Sequence, residues 1–548
     1  ELSIKLYDEN EKIIKTEKIG KGFDYTFPKA PEIEDKEFLY WQDKLNSNNK
    51  YYENQKIQVN SNLELIAVYR NTKVVSITLD DLKEEKFIDF TSAINYAKNK
   101  EFKILNIKFL ENYSLTNEDI VALQNLNKNN VSFVIKGVNN NIELAINSSI
   151  RLSGDTKIEN IVLDYGTKIG HGIYARGHKL EMGQNIRMKG TGGPILIGGD
   201  NGKNVSKSEI IVRSGKYPAI YGAGHAENSG VTGNVNIELH GGEVLGDIYG
   251  GSQSTGAMSN GKTTIKLIGG SVSGLVSGTS KVSGLESSNN VDIYLSGTEL
   301  KNGNVSVYGG FAKTSEDANH TGISTIHVEK PKYTVDKLVG FTKLDIKSGM
   351  DLTVKNVLNH KGGIKVTENS GEVSLNGNSK LVIPSTSNVT NRQAGWLNSQ
   401  GNNNKIVINK GDYLSLTSTK ADTIKDKVVL DFKNRETNKE KSTLLKYESN
   451  KAKANAENFA KGVNLPNEVI LESDKSDGTI YMEEDYNLTV TKPNGQSLKL
   501  KTIKNSIDKI KEDTNAGTYT ITLYKNYSLT SEDIEALQNF NRNNVGFL

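Results

Sequence analysis

A mainly β chain wound as a parallel β-helix solenoid is the fold this sequence predicts, on three observations. One phrase recurs between Ile210 and Gly310, as Ile211-Val212-Arg213-Ser214-Gly215, Ile237-Glu238-Leu239-His240-Gly241-Gly242, Ile265-Lys266-Leu267-Ile268-Gly269-Gly270 and Ile293-Tyr294-Leu295-Ser296-Gly297. About ten residues after each comes a second phrase, Ile220-Tyr221-Gly222, Ile248-Tyr249-Gly250-Gly251, Val276-Ser277-Gly278 and Val307-Tyr308-Gly309-Gly310. The copies are spaced by about 26 to 28 residues, the length of one coil in a solenoid with glycine corners.

The alternation within each phrase places Ile237 and Leu239, or Ile265 and Leu267, inward and Glu238 or Lys266 outward. Glycine pairs suit the corner that follows, because they accept positive φ and leave room for the next coil. Stacked coils then build inward ladders of Ile, Val and Leu. A long, narrow core of this kind reconciles folding with a hydrophobic content of only 35% and a mean hydropathy of -0.50.

Coils before and after the regular stretch follow the same alternation: Val134 and Ile135, Ile161 and Leu163, and Ile186 and Met188 precede it. Ile326 and Val328, Leu344 and Ile346, Ile364 and Val366, Leu381 and Ile383, Ile406 and Ile408, and Val428 to Leu430 continue it more loosely. Residues 432 to 462 read as a polar excursion with a helix near Ala452 to Lys461, before return strands at Val469 to Leu471 and at Ile480.

Ahead of the solenoid, Phe90, Ala93, Ile94 and Ala97 mark a short amphipathic helix. Thr116 is a natural N-cap for a second, with Glu118 and Asp119 in its first turn and Ile120, Leu123 and Leu126 on one side. Such helices cover the open end of a β-helix core. This cap occurs twice. Asn112-Tyr113-Ser114-Leu115-Thr116 through Asn129-Asn130-Val131 returns as Asn526-Tyr527-Ser528-Leu529-Thr530 through Asn543-Asn544-Val545, and the preceding helix has a counterpart at Ile503 to Ile510. An internal duplication follows. The domains expected are 1–72, a separate N-terminal module; 73–482, a β-helix with its helical cap; and 483–548, the truncated opening of a second β-helix. Residues after about 517 are expected to have few partners and to be mobile.

The N-terminal module reads as short strands, at Leu2, Ile4 and Leu6, at Ile13, Ile14 and Ile19, and at Leu63, Leu65 and Ala67. Its order of Gly20-Lys21-Gly22, Phe27-Pro28, Phe38-Leu39-Tyr40-Trp41, Tyr51-Tyr52 and Val59 through Tyr69 resembles the internalin B-repeat, or Listeria-Bacteroides repeat, with Tyr40 and Tyr69 in place of the usual Gly and Trp. The resemblance implies a small β-grasp-like module used as a spacer or binding unit along bacterial surface proteins. Trp41 is expected in its core.

Composition narrows the function classes. With 68 basic and 65 acidic residues, a net charge of +3 and no cysteine, nothing argues for nucleic acid, disulfides or thiolate metal sites. No apolar run is long enough to span a membrane and no signal peptide is evident. Export and anchoring signals are expected outside the sequence. Gly170-His171-Gly172 matches a short phrase of the polygalacturonase family, but Asp80-Asp81 is the carboxylate pair available and it lies before the solenoid. His171 is expected at a corner. Glu238, Glu243, Asp247, Asp292 and Glu299, like His225, His240, His320 and His327, fall on different lines of the repeat, so neither a lyase's Ca²⁺ cluster nor a metal site is expected.

What remains is a surface. If Ile220, Ile248 and Val307 point inward, Tyr221, Tyr249 and Tyr308 point outward from equivalent lines with Tyr174 beside them, a stripe suited to sugar rings or a protein loop. The alternative is that these rings stack on each other and shield the wall. Excursions at 200–208, 225–233, 252–261 and 313–322 emerge after the second phrase, hence on one side. The whole pattern resembles Gram-positive cell-surface adhesins with a pectate-lyase-like right-handed parallel β-helix beside internalin-type repeats. That resemblance implies a non-enzymatic, monomeric, extracellular segment without cofactor or metal, attached to the cell wall, meeting a host matrix protein or cell-surface glycan. The alternative is an extracellular lyase or hydrolase of acidic polysaccharides.

Overall fold

The computed structural model describes residues 1–360 except 127, 129, 168–169, 226–227, 253–258, 282–286 and 313–319, strand backbones alone from 361 to 485, and residues 486–548 except 525, 542, 544 and 548. Strands make up 44% of the chain against 10% helix, and most lie in long parallel sheets. The fold is a parallel β-helix solenoid. Ile364, Val366 and the helix expected near Ala452 to Lys461 lie outside the described residues. Two compact units make up the chain: residues 1–198 with 209–218, and residues 199–208 with 219–548.

In the first unit, residues 1–72 form a mixed five-stranded sheet in the order Ile13–Ile19, Leu2–Tyr7, Leu63–Asn71, Lys36–Asp43, Lys50–Tyr51. Leu2–Tyr7 runs parallel to Leu63–Asn71, and the other pairs are antiparallel. A ribbon of Asp24–Thr26 and Lys56–Gln58 contributes Tyr25 to a core with Ile4, Leu6, Phe27, Trp41, Val59 and Leu65. Residues 1–72 contain no helix. Trp41 is buried there, its indole N–H donating to the Pro28 carbonyl at 2.7 Å, as expected of a core tryptophan.

The solenoid opens with the antiparallel strands Glu85–Phe87, Val75–Leu79 and Ile104–Phe109. From Ile104–Phe109 onward the pairing is parallel, through Ser132–Gly137, Asp155–Glu159, Lys179–Met182 and Ser208–Val212. Two further walls run beside this one. Tyr113–Leu115, Glu143–Ile146, Ile161–Asp164 and Ile186–Lys189 form the second, and Ile150–Arg151, Gly172–Tyr174 and Ile195–Ile197 the third. Each coil therefore gives one strand to each of three walls.

The second unit repeats this plan. Its first wall stacks Val235–Leu239, Thr263–Leu267, Val291–Leu295, Ser324–Val328 and Lys343–Ile346 with Ile237, Ile265, Ile293, Ile326 and Leu344 in register. All five are fully buried, each stabilising the core by about 1.5–3 kcal/mol. Ile220–Tyr221, Ile248–Tyr249, Val276–Ser277 and Val307–Tyr308 stack in the third wall, which continues through Tyr333–Phe341, Asp351–His360, Lys380–Ile383, Lys405–Ile408, Val429–Asp431 and Val463–Asn464. At the corners Gly270 has φ +70°. A Cβ on Gly297 would overlap the Ile268 carbonyl oxygen of the coil beside it.

Both helical caps share one construction. Asp119 is buried and accepts from Thr91 N (2.9 Å), the Thr91 hydroxyl (2.7 Å), the Tyr113 hydroxyl (3.0 Å) and Thr116 N (2.9 Å). One carboxylate thus caps its own helix, Asn117–Gln124, and the start of the neighbouring helix, Phe90–Lys98. Asp533 does the same for Ser531–Gln538 and Ile503–Glu512, accepting from Lys504 N (2.8 Å), the Tyr527 hydroxyl (2.6 Å) and Thr530 N (3.0 Å). The sheets match as well: Ser497–Leu500, Leu488–Thr491, Gly517–Leu523 and Val545–Phe547 repeat the strand order and directions of the solenoid's opening, the last pair being parallel. The segment after about 517, expected to have few partners, is packed in part: Tyr524, Leu529 and Ile534 are exposed, but the strand that opens it is held. Gly517–Leu523 is paired on both sides and Tyr519 is fully buried in a local core with Leu488, Val490 and Ile510, because the duplicated cap supplies its own core.

Two predictions follow from this construction. Gly297→Ala should lower stability by about 1–3 kcal/mol through overpacking between coils, measured by denaturant unfolding; an unchanged midpoint would show that the coils can spread at no cost. The Asp533 carboxyl is pushed up by burial, but the Tyr527 hydroxyl, the Thr530 and Lys504 amides and the Thr530 hydroxyl outweigh this and hold it at about 2. A depressed carboxyl stabilises above its unfolded pKa, so protection of Ser531–Gln538 should be complete above pH about 4 and lost as the pH falls through about 2. Hydrogen exchange on Asp533→Asn should lack that dependence.

Candidate functional site

The four tyrosines singled out by the repeat are placed in register as expected but are not exposed. Tyr221, Tyr249, Ser277 and Tyr308 pair in succession along the third wall, and all are buried. Tyr174, in the other unit, pairs with Arg151 and Ile197 and is buried too, with the Arg151 guanidinium 5.4 Å from its ring centre. The outward stripe is therefore corrected. Neighbouring residues of a strand face opposite ways, so burial of both Ile220 and Tyr221 means that this wall is covered on both sides.

Part of the outer cover comes from the described residues of the excursions after the glycine phrases. His225, at the start of one, lays its ring nearly parallel to Tyr221 at 5.8 Å. The excursions stack on one another through the parallel bridges of Val231 with Val205 and with Ser259. Tyr221 also meets Tyr249 at 5.9 Å, and the Tyr249 hydroxyl donates to Asp247 at 2.8 Å. Burial and the nearby Asp247 push the Tyr221 hydroxyl up to about 12 and that of Tyr249 higher still. These hydroxyls stay protonated and serve the wall, in line with rings that stack and shield.

The outer side of the first wall is partly exposed. Glu238, Lys266, Tyr294, His327 and Asp345 occupy one outward row, one per coil, and Asn236, Thr264, Asp292, Thr325 and Lys343 occupy the next. Asp292, expected to fall apart from the histidines, is brought to one of them. His327 Nδ1 lies 3.0 Å from Asp345 Oδ2, and Nε2 lies 3.4 Å from Asp292 Oδ1. The Tyr294 ring stacks on the imidazole at 4.3 Å and 9°. Lys262 pairs with Asp292 at 2.6 Å and Lys347 with Asp345 at 2.6 Å.

Burial pulls the His327 pKa down, but the two carboxylates outweigh it and hold it above its ordinary value. Asp345, raised by burial, is brought down to about 2 by His327 and Lys347. Glu238 shows the same balance, held at about 2 by Lys266, His240 and Asn236 against the opposing effect of burial. With both ring nitrogens facing carboxylates and one ring face under Tyr294, His327 clamps three coils together.

Other candidates resolve into structural roles. Asp80 accepts from the Lys103 and Ile104 amides at 2.9 and 2.7 Å, shaping a turn. The His171 carbonyl accepts from Ile195 N beside Gly170 at φ +101°, a corner as expected. His320 is buried against the Asn289 carbonyl at 2.8 Å. A recess of about 170 Å³ lined by Thr298, Glu299, Lys330, Lys332 and Tyr333 falls short of the ~300 Å³ usual for a small-molecule site. Among the described residues, no three His, Asp or Glu side chains are grouped to hold a metal ion, and no helix is long and apolar enough to cross a membrane.

The clamp has a testable sign. A His whose pKa is raised on folding stabilises fully below its unfolded value of about 6.5, and the contribution is lost as the pH rises through the folded value. His327→Gln should cost on the order of 1–3 kcal/mol at pH 5 and progressively less toward pH 9, in paired urea titrations. A cost independent of pH would mean that the ring acts through packing alone. No protein-family model, curated protein or solved structure matches the chain.

Proposed function

We propose that the chain is a non-enzymatic segment of a bacterial surface protein, an adhesin or stalk that projects a β-helix face toward host matrix, cells or glycans. The observation that carries this reading is the second solenoid opening. Residues 488–547 repeat the strand order, helix pair and capping carboxylate of residues 75–137, the mark of a tandem array, and an array of stacked coils gives length rather than a catalytic cleft. The N-terminal sheet with buried Trp41 fits a spacer module in the same array.

Within this reading the contact surface moves from the third wall to the first. There Tyr294 stacks on His327, and Lys262 and Lys347 pair with the two carboxylates that flank the imidazole, an aromatic ring in a charged surround that suits a sugar ring carrying an acidic group. Ladder pairing fixes these side chains, so little ordering entropy is lost on binding.

Asp292, His327 and Asp345 are the one constellation that favours the second reading, an extracellular lyase or hydrolase acting on acidic polysaccharide. Their commitment to one another and to lysines supports the first. The whole chain should bind in a glycan and matrix-protein array, with binding weakened about tenfold or more by Tyr294→Ala with Lys262→Ala. It should release neither unsaturated nor reducing ends from acidic polysaccharides. Product release abolished by His327→Gln would replace the adhesin reading with the enzymatic one.

A further inference from the structure

The N-terminal sheet and the solenoid are joined without slack. Leu63–Asn71 ends the module, Val75–Leu79 opens the solenoid, and each of the three residues between them is tied. Thr72 N donates to the Asp35 carbonyl at 2.8 Å, and Lys73 Nζ lies 2.8 Å from the Asp35 carboxylate. The Val74 N–H donates to the Phe87 carbonyl and its carbonyl accepts from Leu110 N, both at 2.9 Å. Lys86, on the solenoid's edge strand Glu85–Phe87, donates to the other Asp35 oxygen at 3.0 Å. Asp35 itself sits in a left-handed turn at φ +63°, a conformation that Asp and Asn adopt more readily than most residues with a side chain. Lys73 and Lys86 hold its carboxyl below the usual carboxylate range. The second solenoid opening is built differently. Lys499 stands where Lys86 does, each opposite the second residue of the first strand, but Tyr486 takes the place of Lys73 and the Lys499 ammonium lies over its ring at 4.9 Å.

We infer that Asp35 is the lock of a rigid joint: one residue of the module, held by the linker backbone, a linker ammonium and an ammonium of the solenoid's edge strand, fixes the bend between the N-terminal sheet and the solenoid opening. Neighbouring domains move relative to one another by default unless their interface prevents it, and attachments from two elements of the solenoid side leave no single bond about which the module can turn. Ion pairs as exposed as these add little to global stability. Their effect falls on the width of the motion, so it is read in a distance and not in a melting temperature. This inference rests on the stalk part of the proposed function for its purpose, since rigid joints let an array project; a flexible joint would leave the glycan and matrix assays untouched.

The chain has no cysteine, so spin labels on Thr16→Cys, exposed on the module's strand Ile13–Ile19, and Asn95→Cys, exposed on the helix Phe90–Lys98, report the joint in the full chain. Double electron–electron resonance should give one narrow distance distribution. Asp35→Asn keeps the turn and the backbone carbonyl but removes the charge, and should widen the distribution about twofold or more. Lys73→Gln with Lys86→Gln should widen it equally. Glu9→Gln, which breaks the ion pair with Lys36 inside the module, should leave the width unchanged. A parent distribution as broad as that of Asp35→Asn would overturn the inference, and so would equal widening in Glu9→Gln. Circular dichroism melts should coincide across all four proteins; a lost or lowered transition in Asp35→Asn would show that Asp35 serves the module's own fold, against the inference.

Discussion

Parallel pairing between coils is the constraint on which everything else in this protein depends. A strand in a solenoid finds its backbone partners only in the coils on either side, so a slip in one coil would strand the hydrogen bonds of its neighbours and turn its apolar side chains outward. Ile237, Ile265, Ile293, Ile326 and Leu344 stay in register although the sequence between them lengthens before Ile326 and shortens before Leu344. Register is held fixed and excursion length is free. Glycine at the corners is a consequence, since a Cβ at Gly270 or Gly297 would occupy the backbone of the adjacent coil.

The same constraint explains which features are legible in the sequence. Inward ladders show as alternation because each is a local pattern repeated, and the amphipathic helix at Phe90, Ala93, Ile94 and Ala97 is buried on those four residues. The tyrosines follow the repeat equally well, but their exposure depends on the excursions, whose course no periodicity encodes; His225 against Tyr221 is a contact made by an irregular segment. Asp292, His327 and Asp345 escape notice for the opposite reason. They meet across coils of unequal length, so a spacing that looks scattered along the chain becomes adjacency once register is imposed. The one available signal was that each is the immediate chain neighbour of an inward ladder residue: Asp292 precedes Ile293, and His327 and Asp345 follow Ile326 and Leu344.

Polar ladders on the outside obey different energetics from apolar ladders inside. Like charges stacked at the strand spacing repel, and the outward row Glu238, Lys266, Tyr294, His327 and Asp345 avoids this by pairing Glu238 with Lys266 and His327 with Asp345, with the Tyr294 ring stacked on His327 between them. Exposed pairs of this kind contribute little singly. Here the side chains are ordered by the wall beneath and the half-buried carboxylates each accept from more than one donor, so the row is a fixed pattern of charge and ring faces. Recognition by such a surface rests on preorganisation more than on depth.

The ends of a solenoid pose the problem that its middle does not. An uncovered terminal coil presents both an apolar core and unpaired strand edges, and a helix pair solves this only if its own N-termini are satisfied. Asp89 and Thr116 are the N-caps of the two helices, and the buried Asp119 carboxylate ties the two starts together by accepting from Thr91 N and Thr116 N. The arrangement is duplicated around Asp533, with its neighbouring Tyr527 and Thr530. What the second copy lacks is cover over the far side of the same helix. A cap is therefore two-sided: one face closes on the opening sheet by itself, and in the first copy the other is completed by the coil that follows, so closely similar sequence carries a buried Leu123 in one place and a more exposed Leu537 in the other.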